Sequence, residues 1–314
     1  MSDEKRFLII DSNSLIHRAF HALPPLTSKS GELVNALYGF SLIFFRALKD
    51  LHPQYIAAAF DYPAPTFRHE KFKEYKAKRP KAPPELYSQI PKVKELLQAF
   101  NVEMFEKQGF EADDVIATLS KLILKRQVFP KLETIILTSD KDALQLIDKQ
   151  TKVYLIKKGV KDAVLYDEEK VKEEYGGLTP SQILDFKALR GDPSDNIPGV
   201  TGIGEKTAIE LLLKFNSFDN LYKELEENTV KTKELKPRTR ELLLKYKEQA
   251  FLSKDLAEAE KNVPLEFQVD KCKFSNFNKE KAVEMFNKYN FTSLLKRIDE
   301  LNLEKEDSSI LSLF

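Results

Sequence analysis

The sequence predicts an α/β fold built on a mainly parallel sheet, followed by a second, mostly helical region. Three observations carry that reading. Short apolar strands alternate with amphipathic stretches as far as about residue 175, the order that sheets covered by helices on both faces produce. The apolar runs LII, YIAAAF and TIIL are continuous rather than alternating, as strands buried on both sides require. Beyond about Gly176 the strand signal fades and helix punctuation takes over.

Taken in order, 6–11 reads as the first strand, followed by a His-rich turn and a helix over Ala36–Asp50. A strand at 55–61 comes next. Residues 62–91 are bracketed by Pro63, Pro65, Pro80, Pro83, Pro84 and Pro91 and read as an irregular, mobile excursion from the sheet. A helix near Ser88–Phe100, a helix over Glu111–Lys125, a strand at 133–140, a short helix from Lys141 and a strand at 152–156 complete the first part. Thr179-Pro180 opens a helix, with Thr as cap and Pro at the first helical position, and SQILDFKALR continues it. NIPGVTGIGEKTAIELLLKF reads as helix, Gly-rich turn, helix, and further helices are expected over Thr239–Lys247 and Lys279–Tyr289. The expected division is an α/β domain over 1–175, a helical domain over 176–300 and a flexible polar tail over 301–314.

Length and composition narrow the class. A chain of 314 residues with 42% hydrophobic content and 22 Phe can bury a real core, with two domains the natural count. No stretch approaches the ~20 apolar residues of a membrane span, and the polar start MSDEKR is no secretory signal. One cysteine, Cys272, permits no internal disulfide or thiolate cluster and fits a reducing cytoplasm. Net charge is only +1, but between Tyr62 and Lys81 seven basic residues face two acids. A local surface far more positive than the sum is therefore expected.

The candidate chemistry lies in the acids. Asp11, Asp61 and Asp140 each follow an apolar strand, with Asp142 two residues on. GFEADDV places Glu111, Asp113 and Asp114 at a helix start, and GDPSDN supplies Asp192 and Asp195. Any one of these acids is as well explained as a helix cap or a first-turn charge. Repetition of the pattern at five places is not, because strand-end acids of one parallel sheet share one crevice. Adjacent carboxylates repel, and hard divalent ions with oxygen ligands relieve that repulsion. The chemistry implied is two-metal phosphoester hydrolysis. His17, His21, His52 and His69 fall in no zinc-ligand spacing.

Two further segments suggest what is hydrolysed. Gly199, Gly202 and Gly204 precede a helix start carrying Lys206, an arrangement like a helix–hairpin–helix that grips a nucleic-acid backbone without reading bases. In PAPTFRHEKFKEYKAKRPKAPP, cations interleave with Phe67, Phe72 and Tyr75. Charge then follows phosphates while aromatics stack on bases. A solvated charged helix explains the same run, but its position directly after Asp61 favours strand binding.

The ordered set Asp11, AAAFD, FRHE, YKAKRP, GFEADDVIATL, TSDKDALQL and YGGLTPSQILDFKALRGDPSDNIPGVTGIGEKTA resembles the 5′-nuclease (flap endonuclease) family. Its nearest members are the 5′→3′ exonuclease domain of bacterial polymerase I and its stand-alone counterparts. The resemblance spans roughly residues 5–297. It implies a PIN-like domain with a helical arch and a helix–three-turn–helix DNA-binding domain. It implies that all nine acids serve the metal site: Asp61, Asp113 and Asp140 around one Mg²⁺ or Mn²⁺, and Asp140, Asp142 and Asp195 around a second. Asp11, Glu111, Asp114 and Asp192 would then act through waters. Lys76, with Arg79 assisting, would reach the scissile phosphate. Arg18 and Arg68 would contact phosphates, Tyr75 would be an arch aromatic, and Lys187 and Lys206 would lie near the duplex backbone. A K⁺ ion on backbone carbonyls of the Gly-rich turn is also implied. Ser12 stands where the family usually has Gly after its first Asp.

The implied function is cleavage of DNA, or of RNA primers, at 5′ flaps, nicks and ends during replication and repair, by a bacterial, nucleoid-associated monomer. The terminal ILSLF resembles a sliding-clamp-binding pentapeptide, with Leu311, Leu313 and Phe314 as the plug and Ile310 in place of Gln. Two other classes fit parts of the pattern. One is a non-catalytic DNA-structure-binding relative, which would lose some of the acids. The other is a small-molecule phosphohydrolase, which would need neither the basic segment nor the Gly-rich turn.

Overall fold

The computed structural model describes residues 5–125, 132–274 and 277–301. The proposed clamp-binding residues Leu311, Leu313 and Phe314 lie outside them. Six strands form one sheet: β1 (Lys5–Asp11), β2 (Tyr55–Ala59), β3 (Glu103–Phe105), β4 (Leu132–Thr138), β5 (Thr151–Ile156) and β6 (Ala163–Tyr166). Their spatial order is β3-β2-β1-β4-β5-β6. All pairings are parallel except β5 with β6.

Both sheet faces are covered, and this is why the strands read as unbroken apolar runs. Leu8 and Ile10 of β1 face a core shared with the helices Ser12–Ala22, Asn35–Leu51 and Ile90–Ala99. Phe7 and Ile9 face the opposite core, which contains Val115, Ile116 and Leu119 of helix Ala112–Lys125. From β1 the chain winds outward to β2 and β3, then returns to place β4 on β1's other side. The carboxyl ends of β1 and β4 therefore border the switch in winding direction, where open α/β sheets form their ligand crevice.

The helical region has its own core. Phe186 and Leu189 of helix Ser181–Arg190 meet Leu211, Leu212 and Phe215 of helix Glu205–Phe215, and Leu221, Leu243 and Ala250 join them. Helix Lys247–Ala257 closes that core. The chain then leaves it. Phe267, Val269 and Cys272 pack on one face of the sheet, and Lys273 bridges to Tyr55 of β2. Helices Lys279–Lys288 and Thr292–Glu300 pack on the other face through Met285, Phe286, Leu294 and Ile298. Residues after 257 thus return to the sheet instead of extending the helical domain to 300. The expected His-rich turn is also different: it is helix Ser12–Ala22, capped by the Asp11 side chain, which accepts from the Ser14 N–H.

Candidate active site

The acids are positioned by strand ends and caps. Asp11 closes β1 and is buried; Thr138 Oγ1, at the end of β4, donates to its Oδ2 at 2.5 Å. Asp61 follows β2 and accepts from the Ala112 N–H at 2.8 Å, which ties it to the helix that carries Asp113. Asp140 follows β4 and caps the 3₁₀ turn Lys141–Leu146, accepting from the Asp142 N–H at 2.9 Å. These acids, with Glu111, line a cleft of about 530 Å³. The same cleft is lined by His17, Arg18, His21 and Lys158, and by Lys76 and Arg79 from the 62–91 segment.

The helical domain completes the acid set. Asp192 and Asp195 lie in the loop after helix Ser181–Arg190, where Asp192 pairs with Ile197. Carboxylate oxygens of Asp142, Asp192 and Asp195 all lie within 4.8 Å of one another. Asp192, given a role through water by the resemblance, thus lies in the same close group as Asp142 and Asp195.

The electrostatics match this geometry. Burial pushes the Asp11 carboxyl up to about 6 and Asp142 up to about 7. Asp113 is raised well above the carboxylate range, first by burial and then by repulsion from Asp140 and Asp11. Burial also works against Asp192, but the Lys187 ammonium prevails and holds it down at about 2.

Several residues stand elsewhere than the resemblance implied. Arg68 is 3% exposed and forms a two-pronged pair with Asp114, with N···O distances of 2.8 and 2.7 Å. In this structure Asp114 neutralises a buried guanidinium, and Arg68 presents no face to a phosphate. Tyr75 is buried; its hydroxyl donates to Glu111 Oε2 and Asp195 Oδ2, at 3.1 and 3.3 Å. Its neighbour Phe72 packs with Tyr75, Ile197 and Leu256, so these arch aromatics form a small core and are not free to stack on bases. The segment read as a mobile excursion, 62–91, carries the short helices Phe67–Lys71 and Pro84–Tyr87 and is docked on the acids: Lys76 Nζ donates to Glu111 Oε2 at 2.8 Å, Arg79 bonds Asp195, and the Lys76 N–H donates to the Asp195 carbonyl at 2.9 Å. Lys187 bonds Asp142 and Asp192 within the acid cluster and does not face outward toward a duplex.

The Gly-rich turn is closely packed. Gly199 has φ +61°, and a Cβ there would lie 2.2 Å from the Gly191 nitrogen. The Gly199 N–H donates to Ser253 Oγ at 2.9 Å. Gly202 has φ +90° over Leu242, and Gly204 caps helix Glu205–Phe215, leaving Lys206 exposed in its first turn.

The family model for the 5′-3′ exonuclease N-terminal, resolvase-like domain matches residues 6–176, and that for the 5′-3′ exonuclease C-terminal SAM fold matches 178–280. The chain belongs to the 5′-3′ exonuclease family. It is 43% identical over 311 residues to DNA polymerase I of Bacillus subtilis, aligning 99% of this chain with 34% of that protein. It thus spans about a third of the length of this curated relative. T5 5′-exonuclease with bound zinc superposes with a TM-score of 0.66 at 19% identity, covering 94% of this chain and 99% of that one. A bacteriophage T5 flap endonuclease in complex with DNA and metal ions also gives 0.66 at 19%, covering 94% and 100%. At these identities the two T5 structures share the fold: a mostly parallel α/β sheet with a helical SAM-like domain.

Within this exonuclease-family site, the residue reading overlooked Thr138. It lies two positions before Asp140, donates to Asp11 and accepts from the Asp140 N–H at 2.9 Å. A Thr two residues from a strand-end Asp was the available signal. Lys158, from the turn after β5, carried none.

Proposed function

We propose that this chain is a structure-specific 5′→3′ nuclease that hydrolyses DNA or RNA-primer phosphodiesters at 5′ flaps, nicks and ends in replication and repair. One observation carries the reading. Acids from three strand ends and one helix start line one cleft together with Arg18, Lys76, Arg79 and Lys158, and Asp142, two residues after Asp140, gathers with Asp192 and Asp195 of the helical domain.

The donor set fits hard divalent ions. Every candidate ligand is a carboxylate oxygen, and burial first, then repulsion from neighbouring acids, raises Asp11, Asp113 and Asp142. Asp11, Asp61, Asp113 and Asp140 are the proposed holders of one Mg²⁺ or Mn²⁺, and Asp142, Asp192 and Asp195 of another. Bound there, the ions supply a water of lowered pKa and stabilise the attacking and leaving oxygens.

The chain's own cations do the rest. Lys76 and Arg79, paired with Glu111 and Asp195 in this structure, line the cleft and would add positive charge to the phosphoryl oxygens on release from those acids. Arg18 lines the same cleft and orients the neighbouring phosphate. The glycine turn and exposed Lys206 hold the duplex backbone without base contacts. The T5 complex with DNA and metal ions shares the fold on which this reading is built.

The test is a labelled 5′-flap duplex incubated with Mg²⁺, with and without EDTA, alongside Asp113→Asn. Wild type should release the flap only with Mg²⁺, and Asp113→Asn should bind the duplex but turn over at least ~100-fold more slowly. Cleavage in EDTA, or a variant as fast as wild type, refutes the assignment.

A further inference from the structure

The Asp142–Asp192–Asp195 triad has the spacing to hold an ion, yet each of its acids already has a cationic partner. Lys187 Nζ bonds Asp142 and lies 2.7 Å from Asp192 Oδ2. Arg79 bonds Asp195 through Oδ1, and Lys76 Nζ lies 3.8 Å from its Oδ2. Lys187 is held in place. It sits in the last turn of helix Ser181–Arg190, five residues before Asp192, and its side chain is 13% exposed.

The other acids are held differently. Asp11 is bonded by Ser14 and Thr138, Asp61 by the Ala112 N–H, and Asp140 by the Asp142 N–H, all of them uncharged donors. Three carboxylates this close repel strongly unless cations stand between them. Lys187 and Arg79 together bring two positive charges, the charge of one divalent ion. An ion entering the triad competes with Lys187 for the carboxylate lone pairs, and two cations held at one small group of acids repel each other, so ion binding weakens the Lys187 bonds.

We propose that Lys187, seconded by Arg79, is a built-in surrogate for the triad's metal ion. It keeps the three carboxylates assembled before the ion arrives and is displaced when the ion binds. Lys187 is then a positioning residue of the metal centre, and the triad takes its ion more weakly than the Asp11–Asp61–Asp113–Asp140 group. This rests on the reading of the cleft as a metal centre.

Mn²⁺ titration of the whole chain, by calorimetry and by the electron-spin signal of free Mn²⁺, tests it. Wild type should show two unequal affinities. In Lys187→Met the weaker one should tighten by roughly tenfold or more, because charge-assisted hydrogen bonds no longer have to be broken. Lys187→Arg, which keeps the cation, should stay near wild type. In EDTA, Lys187→Met should melt below wild type and recover with Mn²⁺, a rescue that a merely structural lysine would not give. A measurement without mutation covers the case in which Lys187→Met does not fold. Reductive methylation followed by mass spectrometry should label Lys187 several-fold more in saturating Mn²⁺ than in EDTA. A weaker-site affinity unchanged or lowered in Lys187→Met, or a Lys187 equally protected in both conditions, overturns the surrogate role alone. A wild-type chain that binds no Mn²⁺ overturns the metal-centre reading with it.

Discussion

Removing the Arg68 guanidinium tests which acids belong to the metal centre and which to the framework. Arg68 and Asp114 side chains are 3% and 0% exposed. Beyond its two bonds to Asp114, Arg68 donates to the Leu256 and Glu258 carbonyls at 2.9 and 2.6 Å. Asp114 also accepts from the Glu111 and Glu260 N–H groups at 3.0 and 2.8 Å. The pair therefore joins the arch, the helix that starts near Glu111 and the segment that returns from the helical domain to the sheet. In Arg68→Met the Asp114 charge stays buried without its counter-ion, which costs about 3–5 kcal/mol. At about 2 °C or more per kcal/mol for a chain of this size, the melting temperature should fall by roughly 6 °C or more. Mn²⁺ affinity of the refolded variant should hardly move, because both Asp114 oxygens are already taken up by donors. The double variant Arg68→Met/Asp114→Leu should lose less than the two single losses added, since it leaves no orphaned charge. Calorimetric melting and Mn²⁺ titration read both quantities. A variant that melts with wild type, or one that keeps its stability but loses Mn²⁺ binding, would refute the assignment of this pair to the framework.

Three other outcomes follow from the same geometry. The Asp11 carboxyl rises from 3.8 to about 6 and Asp142 to about 7, so the folded chain holds protons that the unfolded chain releases. The stability they contribute is full below about pH 4 and is lost as pH climbs through 6 to 7, by about 3 kcal/mol for Asp11 alone. Mg²⁺ compensates the ionised acids, so its gain in melting temperature should be larger near pH 8 than near pH 5; equal gains would contradict this. Lys206→Ala should weaken duplex binding similarly for all sequences and reduce the salt slope by about 1, and a sequence-dependent loss would argue against backbone contact. Gly199→Ala drives a Cβ into the Gly191 backbone at 2.2 Å, well beyond the ~1–3 kcal/mol of a left-handed residue alone. Its melting temperature should drop sharply, and a wild-type value would show that the turn can open at little cost.

The sheet was legible because two-sided burial leaves unbroken apolar runs, and a run that stops at Asp marks both a strand end and a cap. β3 and β6 escaped because they are edge strands of three and four residues with one face half open. Helix Ser12–Ala22 had its signal in the sequence, since Leu15, Ile16 and Ala19 are buried at helical spacing, but the two histidines suggested a turn. The return of residues after 257 to the sheet was not legible at all. An amphipathic helix such as Lys279–Lys288 shows which of its faces is apolar, not which core that face joins. The same limit governs the site. Sequence treats nine acids alike, whereas folding sorts them by what each one meets. Arg68, 46 positions from Asp114, takes that acid out of the cluster, and Lys76 draws Glu111 toward the arch. Asp192, given a role through water by the resemblance, is gathered with Asp142 and Asp195. Among the described residues, the acids of this set without a close cation follow β1, β2 and β4 or open helix Ala112–Lys125, and Asp11 and Asp113 among them are held high by burial and mutual repulsion. Cation partners set by contacts distant in sequence therefore divide the acids further: Asp114 is locked to a buried guanidinium, whereas Asp142, Asp192 and Asp195 gather around Lys187 and Arg79 in a group spaced to hold an ion, and the sequence shows neither partnership.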